Sequence, residues 1–123
     1  MQTTSPEDTA AVLAAAADHI EQRGWLQGAS VDLAQRDRGI PANECRVCAV
    51  GALNVVIAGH PEGAWTTGPE GDRLAAALTA TTRHLGIDLV KLNDRPGTTA
   101  ADVTAALRAT AARLRAGDPG LTA

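Results

Sequence analysis

The sequence predicts an all-α fold: a compact bundle of about four main helices around a buried central helix, Cys45-Ala58, with long loops carrying both tryptophans. Three observations predict it. Helix-start signals recur at Ser5-Pro6, Pro69-Glu70 and Thr99. From Val47 to Ala58 the only polar side chain is Asn54, and a helix apolar on all sides belongs inside a fold. Finally, Leu74, Leu78, Thr81, Leu85 and Val103, Leu107, Thr110, Leu114 both step by four, three and four residues, the spacing of an amphipathic helical stripe.

In chain order, Ser5-Pro6-Glu7-Asp8 opens the first helix: Ser5 caps, Pro6 suits the first turn, and two acids meet the positive end of the helix dipole. It runs to about Arg23 and stops at Gly24, with Val12, Leu13, Ala16, Ala17 and Ile20 as its apolar face. Regular signals then weaken to Glu44, apart from a short helical turn over Val31-Arg36 and a turn at Gly39-Ile40-Pro41. In the central segment, Ala49, Ala52 and Leu53 favour helix and no partner strand is evident, although the β-branched Val55-Val56-Ile57 also suits a buried strand. Gly51 costs a helix about 1 kcal/mol relative to alanine, which suggests that it admits another helix at close range.

After a loop from Gly59 to Gly68, Pro69-Glu70-Gly71-Asp72 starts a third helix that closes at Gly86. Ile87-Leu92 reads as a connector into Asn93-Asp94-Arg95-Pro96-Gly97, whose Pro-Gly centre marks a type II turn. Thr99 and Asp102 form a capping-box variant for the last helix, which runs to about Ala116. The two stripes are expected to pack on the central helix. The chain reads as one helical domain over residues 1–123, with 1–4 and 118–123 fraying.

Composition excludes several function classes. Net charge is −3, with ten arginines against the single Lys91, so no concentrated basic face for nucleic acid is expected. The longest apolar run is too short to span a bilayer and no signal peptide is visible, so a cytosolic protein with no membrane partner is expected. Acids gather in first turns and bases in last turns, which the helix dipole explains without invoking function.

Cys45 and Cys48 are the conspicuous pair. Zinc needs four ligands, and His19, His60 and His84 are scattered, so no metal site and no cofactor are assigned. The alternating strands and helices of a thioredoxin context are missing. Cys48 reads as a small buried hydrophobe, while the role of Cys45 stays open. The more informative polar cluster is Asn93-Asp94-Arg95. Its side chains either fix the turn locally or present a carboxamide, a carboxylate and a guanidinium to a ligand. Trp25 and Trp65 either close the edge of the core or wall a pocket.

Gly24-Trp25-Leu26-Gln27-Gly28, Val47-Cys48-Ala49-Val50-Gly51-Ala52 and Asn93-Asp94-Arg95-Pro96-Gly97-Thr98-Thr99 together resemble a family of short single-domain proteins of high-GC bacteria and their phages, known as a domain of unknown function. The resemblance covers nearly the whole chain. The cysteine it matches is Cys48, and the chain departs from the family pattern at Leu92, usually tryptophan, and at Thr98, usually basic. It implies no activity.

Two functional readings follow. The first is a non-catalytic binding domain for a protein partner or small polar ligand, with Trp25, Gln27, Trp65, Asn93, Asp94 and Arg95 as its contact residues and homodimerisation through alanine-rich helix faces. The alternative is a small accessory enzyme of specialised metabolism, with Asp94 and His84 in acid–base roles.

Overall fold

A computed structural model describes residues 4–63 and 67–122 of the chain. Among these the fold is all-α, with four main helices and two short ones, and no strand. Helix α1 spans Pro6–Arg23, α2 Leu33–Asp37, α3 Ala49–Ala58, α4 Pro69–Leu85, α5 Leu89–Asp94 and α6 Ala100–Arg115; 3₁₀ turns occupy Ala42–Glu44 and Pro119–Leu121.

Helices α1 and α6 are capped as their sequences predict. Ser5 Oγ accepts the Asp8 N–H at 3.1 Å, and Thr99 with Asp102 completes a reciprocal capping box on α6. At the Pro96-Gly97 turn, the Thr98 N–H closes onto the Arg95 carbonyl at 3.1 Å, with Gly97 at φ 89°.

Four local expectations are corrected. The central helix begins at Ala49 and not at Cys45, because residues 45–48 run extended. There Val47 pairs with both Trp25 and Val31: the Leu26 N–H donates to the Val47 carbonyl and the Val47 N–H to that of Gly24. Those pairings use the backbone groups that another helical turn would need. The expected connector from Ile87 is helical from Leu89, since Asp88 Oδ1 accepts the Val90 N–H and caps α5. The α6 stripe packs mainly on α1 and not on α3; α1 also packs on α3 and, less extensively, on α4. Gly51, in turn, admits a loop carbonyl, that of Ser30, where a helix was expected.

The core follows from this arrangement. Leu13, Ala16, Ala17 and Ile20 of α1 meet Val103, Leu107, Ala111 and Leu114 of α6 and Ala49, Ala52 and Leu53 of α3, all buried. Small residues on α1 let its neighbours approach closely, while leucines fill the spaces between. On the rim, Arg108 pairs with Asp18 and Glu21, and Arg115 with Glu7, so both arginines tie α6 to α1. After α6 the chain turns back at Asp118, which Arg113 grips, and Leu121 is buried against α4.

Candidate functional site

The loop after α1 and the end of α5 are held together side chain by side chain. Asn93 is 1 % exposed and stands at the centre. Its Oδ1 accepts the Trp25 Nε1–H at 2.6 Å and the Ala49 N–H at 2.9 Å. Its Nδ2 donates to the Leu26 carbonyl at 3.2 Å and to Asp94 Oδ1 at 3.0 Å. A carboxamide has two donor hydrogens and two acceptor lone pairs, and all four are engaged.

Two side chains of this cluster, Asn93 and Gln27, act as helix caps across the fold. The first N–H of α3 has no partner within its helix, and Asn93 supplies one from 44 residues away in sequence. Gln27 does the same at the other polarity, its Nε2 donating to the Asn93 and Arg95 carbonyls at 3.0 Å each where α5 ends. The Gly28 N–H then closes the set on Asp94 Oδ1 at 2.9 Å. The structure therefore brings Trp25, Gln27, Asn93, Asp94 and Arg95 together, Arg95 through its backbone. Trp65 lies outside the described residues.

Asn93 and Trp25 are consumed by this network, and Gln27 has both amide hydrogens committed. Among the described residues, Asp94 Oδ2 has no hydrogen-bond partner. Asp94 lies on the wall of a cavity of about 200 Å³, with the Gly28–Ser30 loop, Cys48, Val50, Val90 and Asn93. Val90 is 46 % exposed at its edge.

His84 does not reach this cavity. It sits in the last turn of α4, where Arg113 Nη1 donates to its Nδ1 at 2.9 Å, which leaves the ring proton on Nε2 if the imidazole is neutral.

Cys48 is not the buried core thiol that the sequence suggests. Cys45 is the fully buried one; its Sγ–H faces the Ile40 and Pro41 carbonyls, and burial pushes its pKa up. Cys48 is half-buried and caps α3, its Sγ accepting the Gly51 N–H at 3.3 Å. Burial raises the Cys48 pKa too; the α3 N–H groups oppose that shift and the Asp94 charge reinforces it. Neither thiol belongs to a group of three or more potential metal ligands among the described residues.

Sequence reasoning missed Cys48, Ser30, Val50 and Val90 as cavity residues. A usable signal for Cys48 was its place directly before Ala-Val-Gly-Ala, where a side-chain acceptor is required if the helix starts there.

The chain has no helix, among its described residues, long and apolar enough to cross a membrane. No curated protein and no solved structure matches it significantly. The profile of DUF6197, a family of unknown function, matches residues 4–113, nearly the whole chain and all three motifs, and the protein belongs to that family.

Proposed function

We propose that the protein is a non-catalytic binding domain whose site is the cavity between the Gly28–Ser30 loop, the head of α3 and α5. The observation that carries this reading is the contrast within one cluster. Asn93 has every hydrogen-bonding valence satisfied and fixes the walls, whereas Asp94, an exposed residue of the cavity wall, keeps its Oδ2 without a partner among the described residues. A site preorganised in this way loses little entropy when a ligand binds. Trp25, Gln27 and Asn93 serve it as the frame, and Asp94 as the contact group.

A small polar ligand suits the volume better than a broad protein surface. The acid–base alternative has less support, because His84 bonds Arg113 and is absent from the cavity wall. Nucleic acid is disfavoured as a partner, since Arg108 and Arg115 are neutralised by acids of α1.

Native mass spectrometry of the protein purified from its own host tests the reading, reporting bound small molecules, partners and any homodimer together. The expected result is a small molecule whose occupancy falls when Ala29→Phe, at an exposed position of the cavity wall, obstructs the cavity. An unaltered adduct in that variant contradicts the assignment of the site.

A further inference from the structure

We propose that the cavity beside Asp94 selects a small cation carrying an ammonium or guanidinium group, bound through Asp94 Oδ2; the inference rests on the cavity being the binding site.

The geometry of the carboxylate supports this. Asp94 Oδ1 is held by two N–H donors, the Gly28 amide at 2.9 Å and Asn93 Nδ2 at 3.0 Å, so the carboxylate is fixed before any ligand arrives. Asp94 is exposed, and its Oδ2 has no protein donor among the described residues, so it is open to a donor from outside the protein. A fixed carboxylate calls for an N–H donor, and a charged donor forms the stronger hydrogen bond.

The rest of the wall adds no competing charge. Val50 and Val90 are apolar, the serine and glycine are neutral, and burial keeps the Cys48 thiol protonated at neutral pH. Asp94 is therefore the one acidic side chain among the lining residues. The neighbouring cations do not occupy the place. Lys91 and Arg95 are exposed and absent from this wall, and Arg95 instead lines a separate hollow with Leu85 and Asp102.

Size narrows the class further. About 200 Å³ equals the share of roughly seven water molecules. That space suits a charged head with a short aliphatic stem, which Val90 and Val50 would cover, better than a nucleotide.

The test is an NMR titration with n-butylammonium, against butyrate and n-butanol, following the backbone amides of Gly28, Ala29, Val50 and Val90. Saturable shifts at these amides are expected with butylammonium alone. Asp94→Asn should weaken its binding about tenfold or more, because the neutral carboxamide still accepts from Gly28 but loses the charge. The Trp25 indole signal reports whether that variant keeps its fold. Equal binding of butyrate or butanol at the same amides, or unchanged butylammonium affinity in Asp94→Asn, overturns the cation selectivity while leaving the cavity as a site. If none of the three probes moves these amides, the inference is overturned. A host-purified protein that also carries no ligand then removes the binding reading with it.

Discussion

Replacing Gly51 by alanine pits two effects of opposite sign against each other at one atom. In an ordinary helix interior the change favours folding by about 1 kcal/mol, because glycine loses more backbone freedom. Here the added Cβ would lie 2.3 Å from the Ser30 carbonyl oxygen and 3.1 Å from Val47 Cβ. Relief requires the loop backbone to retreat by more than half an ångström, roughly, since such contacts do not persist below about 3 Å.

The loop has little freedom to do so. The Ser30 carbonyl accepts the Cys48 N–H, and the Asp32 N–H is bonded to the Arg46 carbonyl at 2.9 Å. Overpacking of this kind costs about 1–3 kcal/mol, and a weakened Ser30–Cys48 bond adds about 1 kcal/mol. After the helical gain is subtracted, the net loss is about 1–3 kcal/mol. A loss of 2 kcal/mol lowers Tm by roughly 6–10 °C for a chain of this size.

Urea unfolding followed by tryptophan fluorescence measures the loss, with Ala105→Gly on the exposed face of α6 as the gauge of helical propensity in the same protein. That control should cost about 1 kcal/mol. A Gly51→Ala protein more stable than wild type by about the same amount would refute the close approach of the loop to α3.

Further predictions concern the thiols and the acid limb. Cys48→Ser should be neutral or stabilising by up to about 1 kcal/mol, since serine is the better N-cap, whereas Cys48→Ala should cost about 1 kcal/mol; equal stability of the two would deny the cap. An aromatic disulfide reagent should label Cys48 in the folded protein and reach Cys45 only on unfolding, because Cys45 is 0 % exposed. Hydrogen bonds from Arg46, then the Gln35 N–H, hold the Asp32 carboxyl below the usual range, so the folded protein takes up that proton at lower pH than the unfolded chain. The stability it contributes is fully present above about pH 4 and disappears as pH falls through the folded value. Asp32→Asn should accordingly flatten the acid side of the stability–pH curve, and an unchanged slope there would count against the pairing.

How much of this was legible in sequence depends on how local each signal is. Caps within three or four residues, such as Ser5 with Asp8 and Thr99 with Asp102, declare both partners in one short stretch. The periodic leucines of α4 and α6 likewise declare an apolar face, though not which helix covers it. Asn93 could be singled out as an unusual polar residue, but its partner Trp25 lies 68 residues away, and nothing local says that the two meet.

The start of α3 was unreadable for the same reason. An apolar run continues smoothly from Val47 into Ala49, while the break is imposed by pairing with the Trp25 and Val31 segments. Placing Cys48 in the core and leaving the role of Cys45 open followed from that missed break. With the helix beginning at Ala49, four residues later than expected, Cys48 becomes its cap and Cys45 belongs to the turn before it.

Hydrogen exchange at the Trp25 indole and the Ala49 amide, in wild type and in Asn93→Ala, tests most directly whether Asn93 joins the two motifs. Wild type should show both protons protected, with the indole assigned by its persistence in Trp65→Phe. In Asn93→Ala both should exchange far faster, with stability lower by roughly 1–3 kcal/mol for each buried group left unpaired, while Leu107 amide protection falls by no more than that global loss. A Trp25 indole that exchanges in wild type as fast as a free side chain would contradict the network, and with it the frame assigned to the cavity.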